Sequence, residues 1–321
     1  MRPTLKPPVA RGARSWGLGV LALACSGGLI LHVDPHGGRA RGVEPDLDSS
    51  ETARQAILSA TSVVAEPPGA ELAAVRWLRS HGARVFVDGA PPRASRVELS
   101  DRATSKWSPW TGGDMGLQQI VHLSGVRSLL LGSPIERAES LAFLRQMPAL
   151  RVLEVDGPHA MNDDGMRYVG ECAQLEELQI FFAAVTDEGF LQVRHLKKLR
   201  ILRACWVSLT DKAMSAVRPL VELRNLSVSG RGITDAGLEP LRGRDKLVEI
   251  GLFGTGVTDA GLDVLKGLKG LRELDVRATR VTARAIADLR SALPDCHVEF
   301  EPGSGTKSNG DGRSGHRHGA Q

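Results

Sequence analysis

Between Val126 and Val276 the chain repeats one pattern seven times: an apolar residue, two variable positions, an apolar residue, one variable position, an apolar residue. The copies are Val126/Leu129/Leu131, Leu150/Leu153/Val155, Leu175/Leu178/Ile180, Leu199/Leu202/Ala204, Leu223/Leu226/Val228, Leu247/Ile250/Leu252 and Leu271/Leu274/Val276. They are spaced 24, 25, 24, 24, 24 and 24 residues apart, and all 21 positions are apolar. A fixed period of this length specifies a solenoid. No single unit can bury its apolar face, but stacked units share a continuous core.

Each copy contains two shorter periods. Residues 247–252 alternate as a strand does, whereas Val257, Leu262, Leu265 and Leu268 follow with helical spacing. Thr258 suits a helix N-cap, and Asp259 lies in the first turn, where a carboxylate opposes the helix dipole. The pair recurs as Thr186-Asp187, Thr210-Asp211 and Thr234-Asp235, with Asn162-Asp163 once in its place. Strand, turn and short helix in every unit predict an α/β chain.

Residues 230–238 (GRGITDAGL) and 254–262 (GTGVTDAGL) resemble leucine-rich repeats. They are most similar to the bacterial V-T-D-A-G-L subtype, related to the cysteine-containing repeats of F-box proteins. The resemblance covers roughly residues 70–301. It implies a curved solenoid with a parallel concave sheet of about eight strands and short helices on the convex side. One position departs from the common pattern: Ala183, Val207, Arg231, Thr255 and Thr279 stand where Asn or Cys would ladder the turns. The turns must therefore be satisfied in another way.

The flanks read as separate segments. Arg2, Lys6, Arg11 and Arg14 form a basic N-terminus over residues 1–14, expected to be cytoplasmic. An uncharged run over residues 15–33 reads as a signal peptide or membrane anchor. Three fates stay open for it: cleavage after Ala22-Leu23-Ala24, lipidation at Cys25, or retention as a span. Each places the repeats outside the cytoplasm. Residues 34–68 read as a linker. Residues 69–125 read as an N-terminal cap and irregular first repeat with an insertion, and residues 126–301 as regular repeats closed by a cap at Leu293–Val298. The Gly/Ser-rich tail over residues 302–321 reads as disordered.

Charge and motifs restrict the chemistry. Residues 69–301 hold 31 Lys/Arg against 30 Asp/Glu, a balance that does not predict nucleic-acid binding. The four cysteines, at 25, 172, 205 and 296, form no CxxC pair, so neither a disulfide framework nor a metal site is expected. His122, His159 and His195 fall on different repeats, and the recurring Asp is explained by helix starts. No nucleophile, phosphate-loop or dinucleotide motif is present, so neither enzymatic activity nor a cofactor is expected.

A protein partner is the expected ligand, and alternation places its contact residues on the concave face. With 13 aromatic residues in the chain, their clustering is informative. Phe181, Phe182, Trp206 and Phe253 fall at or just beyond the strand ends, with Ile201, Arg203 and Cys205 beside them. Apolar and aromatic groups around an arginine are typical of interaction hot spots. The insertion carrying Trp107 and Trp110 is a second candidate surface. For each aromatic group a structural role competes: packing under the turn, or capping the open core. Two other functions remain open at this stage. One is an envelope spacer without a specific ligand. The other is a substrate-recognition subunit of a ubiquitin-ligase-like complex, which the export signal and the lack of an F-box-like helical domain disfavour.

Overall fold

The computed structural model describes residues 69–100, 109–132, 135–157 and 161–301. Every described residue belongs to one compact unit. The expected N-terminal segment with Cys25, the linker, Trp107, His159 and the C-terminal tail lie outside the described residues.

One sheet of ten strands runs the length of the repeats, with neighbours in sequence order. The strands are β1 Arg84–Asp88, β2 Arg93–Ser100, β3 Ser128–Gly132, β4 Val152–Asp156 and β5 Glu177–Phe181. They continue as β6 Ile201–Cys205, β7 Asn225–Val228, β8 Glu249–Gly251, β9 Glu273–Asp275 and β10 His297–Glu299. β2 through β10 are parallel. β1 pairs antiparallel with β2. The sheet is thus larger than the expected eight strands. The C-terminal cap adds β10. The N-terminal cap adds β1 through a short hairpin, a connection available only to antiparallel neighbours.

The register follows the sequence period. Ser128, Val152, Glu177, Ile201, Asn225, Glu249 and Glu273 pair strand to strand. The single 25-residue step is absorbed outside the ladder, because Val152 still meets Glu177. All 21 apolar repeat positions are buried in one continuous core.

The other half of each unit starts at Asp163, Asp187, Asp211, Asp235 or Asp259 as a short α-helix. In three of these units the α-helix runs on into 3-10 turns, at Leu191–His195, Ser215–Val217 and Glu239–Leu241. The unit between β3 and β4 carries a 3-10 helix alone, Ala138–Gln146. A 3-10 turn rises about 2.0 Å per residue against about 1.5 Å in an α-helix, so it crosses the core with fewer residues.

The N-terminal end is closed by the helix Gly69–Ser80. Its Trp77 stacks on His81 at 3.9 Å and meets Trp110 edge-on at 6.1 Å. Trp110 is buried, and its ring leaves no room for a Cβ at Gly112 or Gly116. This corrects the reading of Trp110 as a binding residue of the insertion: it packs into the cap. Glu71, also buried here, accepts from Ala94 N at 2.8 Å and pairs with Arg93 at 3.0 Å.

Candidate binding face

The sheet face opposite the core presents three columns of side chains, and they are unequal in charge. From β2 to β10 they contain Glu98, Glu154, Asp156, Glu177, Glu249, Glu273, Asp275 and Glu299. Three arginines, Arg96, Arg203 and Arg277, stand among them. Both ends are internally neutralised. Glu98 pairs with Arg84 at 2.8 Å and Arg96 at 2.7 Å. Arg277 bridges Asp275 at 2.7 Å and Glu299 at 2.9 Å. Arg203 reaches Glu249 at 3.5 Å.

Glu154 is different. It is half-buried at the acidic end, and its carboxylate has no hydrogen-bond partner among the described residues. Burial raises its pKa above the ordinary carboxylate value. Arg96 opposes the rise, while Asp156, Glu177 and Glu98 add to it.

At the ends of the strands the chain turns through the left-handed region once per repeat, at Gly157, Phe182, Trp206, Gly230, Gly254 and Ala278. Glycine accepts this conformation freely, but a bulky aromatic does not. Phe182 (φ 54°) and Trp206 (φ 55°) nevertheless occupy two consecutive turns. Their rings stack at 4.9 Å with planes 12° apart, close to the spacing of adjacent strands. Trp206 remains 39% exposed.

The structure divides the residues expected to form a partner site. Phe182 and Trp206 form the rim stack. Ile201 and Arg203 are half-buried on the open face, and Phe253 is half-buried with the Arg277 guanidinium 5.8 Å from its ring centroid. Phe181 and Cys205 are not available: they are 4% and 3% exposed. They sit side by side on β5 and β6, in the middle of the sheet. Alternation predicts which way a side chain points, not whether neighbouring strands cover it. Ser227, which alternation places on the same face, is likewise buried.

The missing turn ladder is replaced by another one. The Asp163 carboxylate accepts from Thr186 N at 2.7 Å and Thr186 Oγ1 at 2.6 Å. The same two bonds join Asp187 to Thr210, Asp211 to Thr234, Asp235 to Thr258 and Asp259 to Thr282. Each acid therefore starts its own helix and holds the helix start of the next unit. Glycine stands three residues after Thr186, Thr234 and Thr258, with alanine after Thr210 and Thr282, and a Cβ on Gly189, Gly237 or Gly261 would collide with the preceding Asp carboxylate. A 24-residue unit, in-register parallel strands, leucines buried at each rung and a side-chain ladder at each turn define the repeat. The chain folds as a leucine-rich-repeat solenoid.

Among solved structures, an internalin (inlF) of Listeria monocytogenes aligns at 22% identity over 56% of this chain and 49% of its own, with TM-score 0.45. Internalin C2 of the same organism aligns at 17% identity over 74% of this chain and 95% of its own, with TM-score 0.49. A leucine-rich-repeat protein of Leptospira interrogans aligns at 16% identity over 57% of each chain, with TM-score 0.37. The chain thus spans about half the length of the first of these. No protein-family model matches the chain, and no curated protein matches it.

Two further elements of the solenoid escaped sequence reasoning. Asp114, in the insertion, accepts from Glu136 N at 3.0 Å, Arg137 N at 2.9 Å and Ser140 Oγ at 2.7 Å. It extends the acidic ladder one unit toward the N-terminus without the Thr-Asp signature. Thr255 and Thr279, at the substituted ladder position, are buried and donate back to Leu252 O at 2.8 Å and Val276 O at 2.6 Å. Among the described residues, no helix is long and apolar enough to cross a membrane.

Proposed function

We propose that this chain is a non-enzymatic interaction module located outside the cytoplasm, whose open sheet face binds a protein partner through a basic segment. The single observation that carries the reading is Glu154: a half-buried carboxylate without a hydrogen-bond partner, among Glu98, Asp156 and Glu177. An Arg or Lys of a partner would reverse the unfavourable burial of that charge. The rim stack of Phe182 and Trp206 supplies an aromatic anchor beside the acidic surface.

The described cysteines offer no activated thiol. Burial pushes the thiols of Cys205 and Cys296 up to about 11 and that of Cys172 to about 12, so they stay protonated and poorly nucleophilic near neutrality. The recurring aspartates are occupied by the turn ladder. The location outside the cytoplasm rests on the sequence order of basic residues followed by an apolar run. A phosphatase fused after residue 68, active only outside the cytoplasm, checks it.

The binding reading is tested by selecting displayed peptides on the full chain. Peptides rich in Arg and Lys should be enriched, and the Glu154→Arg variant should lose them. Enrichment unaffected by Glu154→Arg, or selection of acidic peptides, would refute the reading.

A further inference from the structure

The near-balanced charge of the repeats hides a segregation that the backbone makes visible. At the corner where each strand begins, one residue per unit is stacked on the next through its main chain. Arg200 O, for example, accepts from Arg224 N at 2.8 Å and Asn225 N at 3.0 Å, and the same double bond recurs from Arg127 O onward. Neighbours in this file therefore stand about one strand spacing apart, near 4.8 Å. Five of its seven members are arginines, at 127, 151, 200, 224 and 272, with Glu176 and Val248 as the exceptions.

A structural role accounts for part of the file. The Arg151 guanidinium donates to Pro148 O and Leu150 O at 2.9 Å, and Arg272 closes its own loop in the same way. It does not account for the centre. Glu176 pairs with Arg151 and Arg200 at 3.6 Å, and Glu222 with Lys246 at 2.6 Å. Lys197, Lys198, Arg218 and Arg224, however, are exposed, and their side chains make no hydrogen bond or ion pair among the described residues. Like charges held this close repel each other, so a surface of opposite sign should stabilise them.

A second observation narrows what that surface is. Val221 and Val248, 60% and 37% exposed, are two of the five exposed large hydrophobic residues described. Both lie in this basic edge: Val248 is in the file, and Val221 is in the loop before Arg224. Basic side chains around protruding aliphatic ones suit a lipid interface, where cations meet headgroup phosphates and apolar groups enter the boundary. Single-stranded nucleic acid is matched less well, because no aromatic platform for base stacking stands among these residues.

We propose that the strand-start edge of the solenoid docks on an anionic phospholipid surface, with Lys197, Lys198, Arg200 and Arg224 over the headgroups and Val221 and Val248 in the interface. This leaves the open sheet face free for its own partner.

The test is sedimentation of the full chain with vesicles of phosphatidylglycerol and phosphatidylcholine, against phosphatidylcholine alone. The readout is the ratio of the two partition coefficients, which removes any contribution of apolar segments that bind both. Each basic residue near such a surface is worth about fivefold, so the triple variant Lys197→Gln, Lys198→Gln, Arg224→Gln should lower the ratio about 100-fold. These side chains hold nothing in the fold, so the thermal midpoint should not move. The double variant Val221→Ser, Val248→Ser should weaken binding to the anionic vesicles several-fold and leave its salt dependence intact. An unchanged ratio in the triple variant would overturn the proposal. So would edge-dependent binding to duplex DNA without vesicle binding. Displacement from vesicles by inorganic phosphate beyond that caused by chloride at equal ionic strength would also overturn it, since that marks a site for free phosphate.

Discussion

Thr234 gives both its backbone N–H and its hydroxyl to the two oxygens of Asp211, each at 2.6 Å, although the residues lie 23 positions apart. The pair explains why one short word recurs in every unit. Thr begins a helix, Asp takes hold of the following unit, and the small residue after them leaves space for the preceding carboxylate.

Asp211→Ala should therefore cost about 2–3 kcal/mol, because two charge-assisted bonds are lost and the part-buried Thr234 N–H keeps no acceptor. Asp211→Asn should cost about 1 kcal/mol, since the amide oxygen still accepts from that N–H. Urea denaturation of both variants checks the order. Equal, negligible losses would make the ladder a consequence of packing and not a contributor to it.

Leu226→Ala should cost about 2–5 kcal/mol, the loss for truncating a fully buried leucine. Asn225→Ala, on the open face one residue earlier, should cost less than about 1 kcal/mol. Similar shifts in the two midpoints would contradict the register of the sheet.

How much of this was legible in the sequence differs between the two faces of the repeat. Leu129, Leu153, Leu178 and their equivalents announce themselves because burial demands apolar side chains at a fixed period, whatever their partners are. Strand order and register follow from that period. The open face has no such demand. Phe181 was expected to be open and is covered, because exposure there depends on neighbouring strands and not on alternation. Trp110 was read as part of a possible binding loop and lies in the cap. The Asp ladder was present in the sequence as Thr-Asp pairs followed two residues later by Gly or Ala. They were read only as helix starts, because the second role joins residues of different units.

Glu154 gives a pH dependence of stability. Its pKa is raised by folding, so between its ordinary value of 4.5 and the raised value the native state binds more protons than the unfolded one. Its contribution to stability thus falls as pH rises through that window, and the charged form disfavours the fold above it. Glu154→Gln should stabilise the protein at pH 7, and the advantage over wild type should vanish below pH 4.5. Denaturation midpoints of both proteins across this range are the check. A Gln variant less stable than wild type at pH 7 would mean that the carboxylate is satisfied in the fold.

Trp206→Gly tests the central claim, that the open face and its rim are kept for binding. Gly230 and Gly254 occupy the same turn in the next two units, so the substitution fits the backbone. It relieves about 1–3 kcal/mol of left-handed strain. It forfeits a ring stack of about 0.5–1.5 kcal/mol and some partly exposed apolar area. Stability should then change by no more than about 1 kcal/mol, while affinity for peptides selected on the wild-type chain falls at least about tenfold. Unfolding of the variant at markedly lower urea with unchanged peptide affinity would contradict the account and make the Phe182–Trp206 stack a structural element of the solenoid.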